Sequence, residues 1–413
     1  MPAGSCVPTQ VFLMLRSCGK GDGAVPNVVL EPCRLDGVVR VPASKSMGHR
    51  YLIAAALAEG ESRIDGLGTS RDIEATRACL ATLRNGGDSL PTLDCGESGS
   101  TLRFLIPVAL ALRGGGRFTG HGRLMERPQE PYRALFQPRG IHWEQEGDFL
   151  TVQGRLTAGR YQLPGNVSSQ FITGLLFALP LLPGESRVEV TSPLESEGYV
   201  AMTLEVLERF GIRVERRAAT FEIPGDQHYR PCSVEVEGDW SQAAVWYAAN
   251  FLDHRIRLEG LNENSCQGDR QVAALYWKLA RPGEVEIDVS QCPDLAPALG
   301  AMAAMRRGTA RFTGAGRLRI KESDRLSAIV ATVNALGGAA EEGADSLTIR
   351  GVEHLRGGVT VDSWNDHRIA MMAAVLATRC EKPVTLLGMQ CVEKSYPDFW
   401  EHYRMLGGRY HVV

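Results

Sequence analysis

One short pattern recurs along this chain and constrains its fold more than any other feature. An apolar, helix-like stretch stops at glycine, and two strand-like stretches follow, the second closing on another glycine. Tyr132-Arg133-Ala134-Leu135 leads to Gly140-Ile141 and on to Phe149-Leu150-Thr151-Val152-Gln153-Gly154. The pattern returns at Leu204-Glu205-Val206-Leu207 with Gly211-Ile212 and Phe221-Glu222-Ile223-Pro224-Gly225. It appears again at Val333-Asn334-Ala335-Leu336-Gly337-Gly338 with Ser346-Leu347-Thr348-Ile349-Arg350-Gly351, and at Tyr403-Arg404-Met405-Leu406-Gly407-Gly408 with one last strand. Weaker copies fall at 80–94 and 271–289. Glycine suits the left-handed position after a helix, which explains where each copy stops. Repeats of this size reuse one supersecondary unit that needs neighbours to bury its helix, although Leu-x-x-x-Gly-Gly turns also recur by chance in α/β proteins. The 413 residues exceed what one hydrophobic core normally serves, so about six α/β units over two domains, with a cleft between them, are expected.

Six polar or basic clusters each run straight into an apolar, helix-like segment. They open the segments 44–57, 99–112, 168–179, 239–249, 321–336 and 366–377. A helix start presents unpaired N–H groups and partial positive charge, so each is a seat for an anion. Several add a fixed cation, which points to anionic substrates. The net charge of -3 supplies no global basic field of the kind that draws a protein onto nucleic acid, so any anion-binding surface is local. Ten scattered cysteines without a CxxC pair read as reduced thiols of a cytoplasmic protein. The nine histidines form no metal-ligand pattern, so no metal is expected. Residues 1–25 carry only a short apolar run at 11–15, too short for a secretory segment, and read as a poorly ordered extension.

Taken singly, most of the clusters have ordinary readings. In Ser44-Lys45-Ser46-Met47-Gly48-His49-Arg50, Ser44 caps a helix and Arg50 lies one turn beyond Ser46, so Lys45, Ser46 and Arg50 can meet one anion; a capped surface helix is the commoner case. Gly96-Glu97-Ser98-Gly99-Ser100-Thr101-Leu102-Arg103 lets a ligand approach the backbone, with Arg103 either binding it or pairing with Glu97. Arg127 precedes Pro128 and is therefore held extended. Ser168-Ser169-Gln170 places polar groups before a run apolar enough to be buried all round, so they need partners. The alternation Arg317-Leu318-Arg319-Ile320-Lys321 predicts a strand edge with its basic residues on one side, followed by Glu322 and a helix capped by Ser323 or Asp324. Glu322 amid such cations stays ionised unless burial or an anionic ligand raises its pKa, which is what general acid catalysis requires. Asp366 caps the helix carrying His367 and Arg368, Lys394 sits before the turn Ser395-Tyr396-Pro397-Asp398, and Asp294 reads equally as a cap or a reacting group.

Taken together and in this order, from about residue 28 to the C-terminus, these clusters resemble the enolpyruvyl transferases, in their shikimate branch. The resemblance implies an α/β inside-out barrel of two domains, each of three βαβαββ units, with the active site in the interdomain cleft. The first domain would be 26–41 plus 238–413 and the second 42–237. The implied reaction moves the enolpyruvyl group of phosphoenolpyruvate to the 5-hydroxyl of shikimate 3-phosphate and releases phosphate, on the route to chorismate and the aromatic amino acids. It implies no cofactor and a monomer. Lys45, Ser46, Arg50, Ser168, Ser169, Gln170, Ser196, Asp294 and Lys321 would face shikimate 3-phosphate. Lys45, Gly99, Arg127, Gln170, Arg325, Arg368 and Lys394 would face phosphoenolpyruvate. Glu322 matches the family's proton donor and Asp294 its proton acceptor.

The chain departs from the common family pattern at Glu97 and Arg317, each in place of Asn, and at Trp240 and Gln242, in place of small residues. An acid at Glu97 weakens phosphoenolpyruvate binding unless Arg103 pairs with it. Two rivals remain in view: the sister transferase acting on UDP-N-acetylglucosamine, whose usual Lys-Asn pair is Lys45-Ser46 here, and a non-catalytic protein binding phosphometabolites or RNA. The absence of basic stripes with interleaved aromatics argues against RNA.

Overall fold

The computed structural model describes residues 26–85, 87 and 90–413; the extension expected at 1–25 lies outside them. Its helices fall into two sets in chain order. The first set is α1 (Lys45–Leu57), α2 (Arg71–Asn85), α3 (Gly99–Arg113), α4 (Glu130–Phe136), α5 (Ser169–Ala178) and α6 (Glu197–Arg209). The second is α7 (Trp240–Phe251), α8 (Val272–Ala280), α9 (Ala296–Ala304), α10 (Arg325–Ala335), α11 (His367–Ala377) and α12 (Phe399–Met405). Each set has its own apolar core. One is built from residues between Met47 and Val236, the other from Val28 to Val39 together with residues between Trp240 and Leu406.

Four sheets share one plan. Strands Thr92–Asp94 and Gly115–Thr119 run parallel with α3 crossing between them, and Phe149–Gln153 and His142–Glu146 add antiparallel. The same order holds for Arg160–Leu163, Ser186–Val190, Thr220–Ile223 and Glu215–Arg217, and for Val285–Asp288, Thr309–Thr313, Ser346–Arg350 and Ala339–Glu342. Each is a βαβαββ unit of the kind the resemblance implies, and its closing helix and hairpin are the repeat legible in the sequence. In the fourth sheet the inner antiparallel position is filled from the other end of the chain: Val28–Glu31 lies between Val384–Leu387 and Arg409–Val412. The weak copies at 80–94 and 271–289 prove to be α2 and α8 without a hairpin behind them, each followed by the first strand of a four-stranded sheet. Their units use instead the parallel pairs of Arg63–Asp65 with Ser233–Glu235 and Asp36–Arg40 with Arg255–Glu259.

The crossover helices α3, α5, α9 and α11 are buried on nearly every face, which their unbroken apolar composition requires. The chain passes between the two cores twice, and the passages lie side by side. Ala43 bridges Gly238, Ser44 N donates to Glu237 O at 2.8 Å, and Asp239 N donates to Pro42 O at 2.9 Å.

Candidate active site

Each of the six helix starts carries a side-chain cap. Ser44, Ser98, Ser168, Asp239, Asp324 and Asp366 accept from N–H groups of the first turns of α1, α3, α5, α7, α10 and α11. Capping of this kind satisfies orphan donors locally and fixes where the helix begins. It therefore aims the residues of the first turn. Lys45, Ser46, Gly99, Ser169, Gln170, Ser241 and Arg368 all reach one cavity between the two cores, which holds about 840 Å³ counting its open mouth.

The floor of the cavity is a buried charge network centred on Arg325, whose side chain is 1% exposed. Its Nη1 donates to Asp294 Oδ1 at 2.7 Å, its Nη2 to Glu322 Oε2 at 2.6 Å, and its Nε to Asp366 Oδ2 at 2.8 Å. Asp294 also accepts from Lys321 Nζ at 3.1 Å and Arg368 Nη2 at 3.1 Å, and Glu322 Oε1 lies 4.0 Å from Arg127 Nη1. Burial pushes both carboxyls up, but the surrounding cations outweigh it. Arg368, Lys321 and Arg325 hold Asp294 well below the usual carboxylate range, and Arg325, Arg127 and Lys321 do the same to Glu322. Burial lowers the Lys321 ammonium to about 8 against the pull of Asp294.

Every candidate from the sequence lines this cavity except two. Lys45, Ser46, Arg50, Gly99, Arg127, Ser168, Ser169, Gln170, Ser196, Asp294, Lys321, Glu322 and Arg368 form its wall, drawn from both cores. Arg325 lies beneath the wall. Lys394 stands to one side, donating to Glu97 Oε2 at 2.6 Å and Asn365 O at 2.6 Å. Arg50 is on the wall but already engaged: Nε donates to Thr203 Oγ1, Nη1 to Ser46 O and Nη2 to Tyr199 O. Two of its five N–H groups are left for a ligand. Lys45 donates to Asp72 Oδ2 at 2.8 Å.

One local expectation needs correction, and one of two open alternatives drops out. Residues Gly316–Ile320 form a 3-10 turn, not a strand edge. With three residues per turn, alternate side chains diverge rather than share a side. Arg317 accordingly crosses to the other core, reaching Val167 O at 3.1 Å, Ser196 Oγ at 3.0 Å and Glu195 Oε2 at 3.2 Å, while Arg319 turns away to Asp324 and Glu342. Nor does Arg103 pair with Glu97. It donates to Gln170 Oε1 at 2.8 Å and Pro128 O at 2.9 Å and lies over the Phe171 ring, because burial beside α5 offers these acceptors first. Glu97 is neutralised across the cleft instead, by Lys394, and also accepts from Asn365 Nδ2 at 3.0 Å. Trp240 is buried against Tyr247 and donates to Asn262 O, away from the cavity wall.

Sequence reasoning missed Asp72 and Tyr199, both on the wall, and Asp269 behind them. Tyr199 lies three residues past Ser196 on α6, so the helical spacing from that candidate was an available signal. Asp72 and Asp269 carried none, since their partners Lys45 and Tyr199 are remote in sequence.

Repeated βαβαββ sheets around two cores, with a cation-rich cavity between them, define the architecture of the enolpyruvyl transferases. An EPSP synthase from Acinetobacter baumannii matches 94% of this chain and 100% of its own with a TM-score of 0.76 at 24% identity. An enolpyruvyl transferase from Streptomyces tendae matches 95% of this chain and 99% of its own with a TM-score of 0.75 at 18% identity. At these identities the likeness is one of fold. Sequence narrows it further: the chain belongs to the EPSP synthase (3-phosphoshikimate 1-carboxyvinyltransferase) family, whose profile matches residues 29–403. The 3-phosphoshikimate 1-carboxyvinyltransferase of Clostridium acetobutylicum is 43% identical across 93% of this chain and 98% of its own length. That of Clostridium kluyveri is also 43% identical, across 92% and 97%. Among the described residues no helix is long and apolar enough to cross a membrane.

Proposed function

We infer that this protein transfers the enolpyruvyl group of phosphoenolpyruvate to the 5-hydroxyl of shikimate 3-phosphate and releases phosphate. The observation that carries this reading is the pairing of Asp294 and Glu322 on one buried arginine at the floor of a cation-lined cavity, in a chain of this family. Two anionic substrates repel each other, and a wall of Lys and Arg donors offsets that repulsion. Lys45, Ser46, Arg50, Ser168, Ser169, Gln170, Ser196 and Lys321 take shikimate 3-phosphate. Lys45, Gly99, Arg127, Gln170 and Arg368 take phosphoenolpyruvate, with Arg325 and Lys394 supporting from behind the wall.

Asp294 takes the proton of the acceptor hydroxyl as its oxygen bonds to C2 of phosphoenolpyruvate, while Glu322 protonates the methylene carbon. A tetrahedral intermediate results. Glu322 then recovers its proton from the methyl group, the C2–O bond to phosphate breaks, and the enol ether forms. Bound phosphate and carboxylate share the charge of Arg127 and Arg325 and thereby release Glu322 from its depressed pKa, which lets it act as an acid near neutral pH. Closure about the paired passages where Ala43 bridges Gly238, beside the boundaries at 41/42 and 237/238 that we propose between the domains, excludes water and strengthens each charge contact. Both walls come from a single chain, which supports a monomer, and the unpaired thiols among the described cysteines support a cytoplasmic location.

Phosphate release measured with shikimate 3-phosphate and, separately, with UDP-N-acetylglucosamine tests the reading. Release is expected with the first acceptor alone, and release only with the second would overturn it. Gly99 gives a finer prediction. A Cβ there would lie 2.6 Å from Arg127 Nη1 and 2.9 Å from its Cζ, so the flexible guanidinium must shift. Gly99→Ala is expected to raise the KM for phosphoenolpyruvate roughly tenfold, the weight of one charge-assisted hydrogen bond, and to leave the KM for shikimate 3-phosphate in place.

A further inference from the structure

Asp269 has no part in the chemistry described so far. It sits in the 3-10 turn Gly268–Gln271, buried behind the cavity wall. Tyr199 Oη lies 3.0 Å from Asp269 Oδ2 and 3.1 Å from Asp294 Oδ2, so one hydroxyl joins two carboxylates. Burial, with the negative charge of both carboxylates, raises the Tyr199 pKa well above its usual value and keeps that hydroxyl protonated.

The two carboxylates keep different company. Asp294 is paired with Lys321, Arg325 and Arg368. Asp269 has no ion pair among the described residues; it accepts only from the hydroxyls of Tyr199 and Ser241, and its Oδ1 has no hydrogen-bond partner. The groups facing it are Tyr199 from α6, Ser241 from α7, Asp294 and the Cys292 thiol from the segment before α9, and Arg368 from α11, whose guanidinium donates to Asp294. Its neighbour Arg270 turns away to Glu263 O. Nearby cations weaken a carboxylate as a base and burial strengthens it; three cations act on Asp294 but only Arg368 on Asp269. Asp269 is therefore the better base of the two. Burial and the charge of Asp294 raise its pKa to about 6.

Resting on the transfer reaction inferred above, we propose that Asp269 is the proton reservoir of this site, receiving through Tyr199 the proton that Asp294 takes from the acceptor hydroxyl. The acceptor O–H bond breaks and an Asp294 Oδ2–H bond forms. That bond breaks in turn as Tyr199 Oη takes the hydrogen, while the hydrogen Tyr199 carried forms an O–H bond with Asp269 Oδ2. No electrons enter or leave, the tyrosine ends neutral, and Asp294 recovers the charge its three cations require. The reverse shift supplies the one proton that the departing phosphate needs in place of its bond to carbon. Acting through Tyr199 rather than on the substrate, Asp269 is a positioning residue.

The test is the pH dependence of kcat in the full chain for the wild type, Asp269→Asn and Tyr199→Phe, with Asp269→Glu as a rescue variant. Asp269 receives a proton only while ionised, so wild-type kcat is expected to fall as the pH drops through about 6. Asp269→Asn keeps the shape but not the proton capacity. It is expected to lower kcat about 100-fold at neutral pH, at the low end of what one proton transfer contributes, with both KM values within about twofold. The acid limb should disappear in Asp269→Asn and in Tyr199→Phe, and Asp269→Glu should restore part of both rate and limb. A purely structural role would move neither limb nor rescue. Retention of the wild-type kcat by Asp269→Asn, persistence of its acid limb, or a loss confined to KM would overturn the proposal while the inferred reaction stands. Should Asp269→Asn fail to fold, the limb in Tyr199→Phe decides. A wild type that releases no phosphate with shikimate 3-phosphate overturns the inferred reaction and the relay with it.

Discussion

Replacing Glu322 by Gln is expected to lower kcat by about 10² to 10⁴, the range ascribed to one positioned general acid, while shikimate 3-phosphate binds as before. The substitution keeps volume and a hydrogen bond to Arg325 but removes the only proton that Glu322 Oε1 or Oε2 can hand to carbon. It also removes a negative charge facing Arg325 and Arg127, which lie 2.6 and 4.0 Å away. Those cations then bind phosphoenolpyruvate at least as well, so KM for that substrate should stay level or fall. Steady-state phosphate release together with calorimetric titration of shikimate 3-phosphate separates the two effects. Unchanged turnover would remove Glu322 from the mechanism.

The second large effect is on stability. Arg325→Met should abolish turnover and cost about 3–5 kcal/mol, because removing one member of a buried ion network leaves the others uncompensated. Asp294, Glu322 and Asp366 would lose the guanidinium that holds them, and Asp366 is itself 0% exposed. The sign of the pH dependence follows from the pKa directions. In the wild type Asp294 and Glu322 lie below the ordinary carboxylate range, so their contribution is present above that range and is lost as the pH falls through the depressed folded-state values. In the variant the same carboxyls keep their burial without Arg325, so protonation relieves them. The gap in unfolding free energy between the two proteins should be widest near pH 7 and narrow toward pH 4. Urea unfolding across that range measures it, and a gap that does not change with pH would show that the network is not electrostatically coupled.

Much of the fold was legible in the sequence because the signals are local. Capping residues and the apolar runs behind them marked α1, α3, α5, α7, α10 and α11, since a side chain two or three residues from an N–H reaches it in any context. The Gly-terminated repeats marked the hairpins for the same reason. The 317–321 stretch failed because alternation over five residues does not distinguish a strand from a tight turn when the flanking glycine and Asp345 can stabilise the turn. Of the two readings open for Arg103, pairing with Glu97 rested on nearness along the chain, whereas both side chains have partners on other segments and Arg103 lines the cavity.

The amino-acid order alone determined the repeated α/β units, the six aimed helix starts and the cationic character of what they would surround. Those features depend on neighbours within a turn or two. Only the tertiary structure decided that Val28–Glu31 completes the fourth sheet, that Glu97 is neutralised by Lys394, and that Asp269, Tyr199 and Asp294 form one hydrogen-bonded line. Each of these joins groups between 70 and 384 positions apart, with Tyr199 and Asp269 at the near end and Val28 and Val412 at the far end. Contacts of that kind are set by how two packed cores meet, which no short stretch of sequence encodes.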